Sequence, residues 1–198
     1  MTAERPENGR GPTARAGVAE ASLIGVAGVG AVLASLVVAP GRLGAAGAAL
    51  ATLALAIAVV DRRRLIIPDE LNALAFVAGL ATAGLTGQAT PGEAVLNALL
   101  RASLMSAAFF AFRAGYRGLR RREGMGLGDV KLAAVAGVWL GWGDLPIAVD
   151  IAALSALASA LLGRLRGNEW SLAAKLPFGA FFAPAIWICW LLAAWRSG

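Results

Sequence analysis

Residues 43–64 read LGAAGAALATLALAIAVVDRRR: eighteen apolar or small residues, 43–60, running straight into Asp61 and the arginines Arg62, Arg63 and Arg64. The run is rich in Ala, Leu and Gly and lacks the period-2 alternation of a strand. It is close to the roughly 20 residues that a helix needs to cross the hydrocarbon core. In lipid such a segment must be helical, because a helix satisfies its own backbone. The abrupt change to one acid and three cations marks the place where the helix leaves the apolar layer.

Six further runs of this kind lie at 22–39, 70–86, 93–112, 129–142, 145–162 and 177–195. Gly and Pro punctuate the gaps, at Pro40-Gly41, 87–92, 141–144 and 163–167. The sequence therefore predicts an all-α, polytopic integral membrane protein with about seven transmembrane helices. Residues 1–21 are expected to be a flexible cytoplasmic tail, 22–195 a single helical membrane domain, and 196–198 a short C-terminal tail. The charged lead is long and Pro40 follows the first run, so this run is read as a span and not as a secretory signal.

Composition agrees. Hydrophobic residues make up 59% of the 198 residues, charged residues 15%, and the mean hydropathy is +0.71. A soluble domain is about 45–50% apolar and about 25% charged, so this class is excluded. With no His and a single Cys, Cys189, there is no Ser-His or Cys-His catalysis, no His metal site, no CxxC pair and no intrachain disulfide. Polar chemistry is left to Asp, Glu, Lys, Arg, Ser, Thr and the backbone, with no metal or cofactor expected.

The net charge of +6 is explained by position and not by nucleic acid. In the seven-span reading, fifteen Lys and Arg lie on one side: in the N-terminal tail, after the second, fourth and sixth runs, and at Lys131. Arg42 and Arg196 lie on the other side, and Arg101 falls inside the fourth run. Cations gather in cytoplasmic loops, which puts the N-terminus in the cytoplasm and the chain in the plasma membrane.

Four acids sit at the cytoplasmic boundary: Asp61, Asp69, Glu70 and Asp129. Asp61 ends the second run, where the helix dipole disfavours an acid unless the following arginines neutralise it. Asp69 and Glu70 follow Pro68 and open the third run, which is ordinary first-turn chemistry. Asp129 follows Gly124-Met125-Gly126-Leu127-Gly128 and reads as an N-cap. Its glycines also leave room beside the acid, and the run that follows is short for a span. Lys131 reads as a snorkelling anchor. The glycine pattern is no phosphate loop, since neither a strand nor a Lys-Ser/Thr pair accompanies it.

Topology pairs two of these acids. The second helix runs inward and ends at Asp61, while the fifth starts inside at Asp129, so both carboxyls lie at one depth on one side. Two carboxyls sharing a site resist joint ionisation, so one can act as base on water and the other as acid. That is peptide hydrolysis with Asp alone.

At these residues the chain resembles the type IV prepilin peptidase family, intramembrane aspartic proteases with a Gly-x-Gly-Asp motif. Asp61 followed seven residues on by Pro68 and Asp69 is similar to the family's first motif. Gly126-Leu127-Gly128-Asp129-Val130-Lys131-Leu132 is similar to its second, and Leu176-Pro177-Phe178-Gly179 to its late Pro-Phe-Gly segment. Ala180 stands where many members have a second Pro. The resemblance implies that Asp61 and Asp129 are catalytic, and that Pro68, Asp69, Gly126, Gly128, Lys131, Pro177, Phe178 and Gly179 shape the site or bind substrate. It implies cleavage of a prepilin or pilin-like precursor at the cytoplasmic face. Larger members also methylate the new N-terminus through an insert bearing CxxC pairs. Here only Pro40-Gly41-Arg42 separates the first two runs, so cleavage without methylation is expected. Two other classes use the same acids: a small ion or proton carrier, and a non-catalytic assembly partner. The oligomeric state is not encoded in these patterns.

Overall fold

The computed structural model describes residues 12–86, 90–120, 125–166 and 177–197, and among them every regular element is a helix. The helices are α1 (Pro12–Val38), α2 (Arg42–Arg64), α3 (Asp69–Thr86), α4 (Pro91–Arg120), α5 (Leu127–Trp139), α6 (Asp144–Leu165) and α7 (Phe178–Ser197). Each corresponds to one of the seven apolar runs. Five of them, α1, α2, α4, α6 and α7, are long and apolar enough to cross a membrane, as in a multi-pass membrane protein.

The ends differ from the apolar runs wherever polar residues extend a helix. Helix α1 begins at Pro12, inside the segment expected to be a tail, and α4 continues past Phe112 to Arg120. Arg, Glu and Ala are good helix formers, so a helix leaving the apolar layer need not stop there. Helix α2 likewise carries Arg62, Arg63 and Arg64 as its last turn, where cations suit the helix dipole. It ends at Leu65, whose φ of 54° puts a non-glycine residue in the left-handed region and turns the chain back.

Helix α5 has only 13 residues, which at about 1.5 Å each fall well short of the roughly 30 Å hydrocarbon core. It is instead the centre of the bundle. From Leu132 to Trp139 it is buried on nearly all sides except at Ala134, and it packs against α3, α4 and α7. Small residues make this possible. A Cβ at Gly137 would stand 2.4 Å from the Ala102 backbone, so α4 and α5 touch main chain to main chain.

A helix that ends inside the bundle leaves its last carbonyls without helical partners. Arg101, mid-way along α4, supplies one: its Nε donates to the Gly137 carbonyl at 3.1 Å. The Trp139 indole Nε1 donates across to the Ala75 carbonyl of α3 at 2.8 Å.

Short connections alternate the helix directions. Three residues join α1 to α2, four join α2 to α3, and four join α5 to α6. One end of the bundle therefore collects the end of α2 with the starts of α3, α5 and α7. At the other end Arg196 of α7 pairs with Asp144 of α6.

Candidate active site

Asp61 lies on the inward stripe of α2 with Leu50, Ala54 and Ile57 and is 5% exposed. A carboxylate there needs partners. They come from the first turn of α7: the Ala180 amide donates to Asp61 Oδ2 at 2.8 Å, and the Gly179 amide also bonds it. The start of a helix offers free N–H groups and a positive dipole end, so α7 holds the acid as an anion site. This is the structural content of the Pro177-Phe178-Gly179 segment.

Gly179 admits that contact because it has no side chain. A Cβ would stand 2.6 Å from Ile67 Cδ1 and 3.0 Å from Asp61 Oδ2. Phe178 turns the other way and packs with Phe182 and Phe109, ring centroids 5.4 and 6.3 Å away. It is a packing residue in this arrangement.

Asp129 is not the N-cap of α5. The N-cap is Gly126, and Asp129, three residues on, accepts from the Gly126 amide at 3.2 Å through Oδ2. An acid at this position reaching back to the N-cap amide is half of a capping box, favoured by the dipole. The chain on both sides of Asp129 is tied to α4, where Ser106 Oγ donates to the Val130 carbonyl at 3.2 Å and Arg113 Nε to the Met125 carbonyl at 3.0 Å. Gly124 lies outside the described residues.

The two acids come to the same end of the bundle, within electrostatic reach of each other. Ile67 links their surroundings. It is 7% exposed and packs against Gly179 on one side and Gly128 on the other, where a Cβ would stand 3.1 Å from Ile67 Cβ. Sequence reasoning passed over Ile67. Its only signal is an apolar residue just before Pro68 in a connection that otherwise reads as a turn.

Asp69 and Lys131 form one unit. Lys131 Nζ donates to Asp69 Oδ1 at 2.6 Å, joining the start of α3 to α5, with both side chains more than half exposed. Lys131 is thus an ion-pair partner and not only a snorkelling anchor. Pro68 sits between Ile67 and Asp69, and its carbonyl accepts the Asn72 amide in the first turn of α3.

Beside Asp61 a groove of about 430 Å³ opens between α1, α2, α6 and α7. Ala180 and Phe181 form one wall, with Arg62 and Arg63 beside Val59 on α2 and Glu20 on α1. Among the described residues no group of three or more His, Cys, Asp or Glu could hold a metal ion.

The chain is 34% identical to the prepilin leader peptidase/N-methyltransferase of Aeromonas hydrophila over 79% of this chain and 52% of that one. It is 35% identical to the leader peptidase HopD of Escherichia coli over 63% of this chain and 78% of that one. It is 33% identical to the prepilin leader peptidase/N-methyltransferase of Pseudomonas aeruginosa over 69% and 46%. The chain spans about half the length of most of the curated relatives it matches. No solved structure matches it significantly. A model of the type IV leader peptidase family matches residues 48–163, which include Asp61, Asp69, Asp129 and Lys131, and the chain belongs to that family.

Proposed function

We propose that this chain is an intramembrane aspartic endopeptidase that removes the leader from prepilin or pilin-like precursors at the cytoplasmic face of the plasma membrane. The observation that supports this reading best is that Asp61 and Asp129, 68 positions apart in sequence, lie at one end of the bundle within electrostatic reach of each other. One ionised carboxyl takes a proton from water as it attacks the scissile carbonyl. The other, protonated, polarises that carbonyl and then donates to the departing amine. The Gly179 and Ala180 amides keep the Asp61 carboxyl in place through the cycle.

The cytoplasmic placement rests on charge. Arg62, Arg63, Arg64, Arg113, Arg117, Lys131, Arg164 and Arg166 cluster at the site end, and Arg42 and Arg196 at the other. The groove runs from Arg62 and Arg63 to Ala180, whose amide bonds Asp61, and in this reading it takes an extended segment of the precursor. Cleavage without N-methylation is part of the reading, supported by the three-residue connection between α1 and α2.

The test is co-expression with a candidate precursor and mass spectrometry of its N-terminus. Wild type yields the shortened, unmethylated product, while Asp61→Asn and Asp129→Asn each leave the leader in place. Complete processing by either variant would refute the aspartyl mechanism.

A further inference from the structure

Among the described residues, one side chain buries polar atoms that no protein group satisfies: Asn72, 4% exposed, with both Oδ1 and Nδ2 unbonded. A carboxamide brings two donors and an acceptor, and leaving them unmade in an apolar interior is unfavourable. Such a residue calls for a partner that is not protein, and its place in the fold indicates which.

Helices α2 and α3 form an antiparallel hairpin with a four-residue connection and pack against each other. Asp61 stands three residues before the end of α2, and Asn72 three residues after the start of α3. They are therefore at matching depth. Both also lie on inward stripes: Asp61 follows Leu50, Ala54 and Ile57, and Asn72 precedes Ala75 and Gly79. The α3 stripe faces α5, since the Trp139 indole lies against Gly79 and bonds the Ala75 carbonyl. One turn nearer the site end, the same stripe carries Asn72, on the helix that packs against both the helix of Asp61 and the helix of Asp129.

We propose that Asn72 is a positioning residue for the aspartyl pair, holding a water molecule between its carboxamide and the Asp61 carboxyl. The water accepts from Asn72 Nδ2–H and donates to Asp61, on the side of that carboxyl away from the α7 amides. Enclosure at this depth favours a solvent molecule over a peptide segment as the partner. The proposal rests on the aspartyl reading for its catalytic consequence but not for the contact itself.

Two measurements test it. The first is a thermal-midpoint cycle in detergent with Asn72→Leu, Asn72→Ala, Asp61→Asn and the double variants. A shared water makes the effects non-additive by about 3 °C or more. Additive midpoints for both Asn72 replacements overturn the proposal, whether or not any precursor is cut.

The second is kinetic. Asn72→Leu and Asn72→Ala lower kcat by at least about tenfold with KM within about twofold, and Asn72→Ser, which can still hold water, recovers part of the loss. Unchanged kcat in folded Leu and Ala variants, with wild type active and Asp61→Asn inactive, overturns the positioning role and leaves the aspartyl reading standing. A wild type that cuts nothing sinks the aspartyl reading, and the midpoint cycle then decides the contact alone.

Discussion

The amide of Ala180 donates to the carboxylate of Asp61 at 2.8 Å, closing a loop of 119 residues between the end of α2 and the start of α7. The bond makes the start of α7 part of the site, and replacing Ala180 with Pro removes it together with the bond of the same amide to the Pro177 carbonyl. Proline is tolerated in the first turn of a helix but has no N–H. A hydrogen bond to a charged group contributes about 1.5–3 kcal/mol. Ala180→Pro is expected to slow leader removal about 10- to 100-fold while the protein still purifies as a folded monodisperse species. Gly179→Ala acts on the same contact by crowding, since its Cβ meets Ile67 and Asp61. It is expected to lower both the processing rate and the thermal midpoint. Normal rates in both variants would mean that α7 does not hold the acid.

The ion pair between Lys131 and Asp69 separates a structural from a substrate-binding role. Exposed pairs contribute about 0–1 kcal/mol, so Lys131→Ala and Asp69→Ala are expected to shift the midpoint by no more than a few degrees. If the pair's work is to register α3 against α5, the exchanged variant Lys131→Asp with Asp69→Lys restores most of the processing lost in Lys131→Asp alone. If Lys131 contacts the precursor directly, the exchange restores nothing. The structure favours restoration, because the two groups bond each other at 2.6 Å.

The helices were readable from apolar runs alone because membrane burial forces long apolar segments into one structure. Asp61 and Asp129 were readable for a related reason: acids are rare in such segments and stand out. Their supports were not. The Ala180 amide is backbone, and no side-chain pattern announces it. Ile67 looks like any apolar residue until Gly128 and Gly179 are seen on either side of it. Asp suits an N-cap, but Gly126 occupies that position and Asp129 caps from the first turn. Apolar runs mark spans and not helix ends, so arginines that continue a helix beyond the apolar layer, as at Arg64 and Arg120, leave no signal in them.

Arg101 carries a prediction about the end of α5 remote from the acids. Its guanidinium bonds the Gly137 carbonyl, one of the last free carbonyls of a helix that stops inside the bundle. Arg101→Ala leaves that group unpaired and is expected to lower stability by about 1–3 kcal/mol. Gly137→Ala is expected to be at least as damaging, since the added Cβ meets backbone that cannot rotate away. Both should appear as lower thermal midpoints, with the cleavage position in the precursor unchanged. A shifted cleavage position would place Arg101 in substrate recognition instead.

Leu65 offers the opposite test, a substitution that should help. It closes α2 in the left-handed region at φ 54°, with its amide bonding the Asp61 carbonyl at 2.8 Å. A left-handed L-residue other than Gly is disfavoured by roughly 1–2 kcal/mol, and Gly is the usual residue at such helix ends. The Leu65 side chain is about half exposed, so little burial is lost by removing it. Part of the gain is offset by the greater freedom of Gly in the unfolded chain. The net expectation for Leu65→Gly is stabilisation of up to about 1 kcal/mol, read as a midpoint higher by a few degrees. The turn it preserves is the one that returns Ile67 to its place between Gly128 and Gly179. Processing should therefore be retained in Leu65→Gly. A fall in activity despite the higher midpoint would mean that the strained turn itself, and not only the position of Ile67, serves the site.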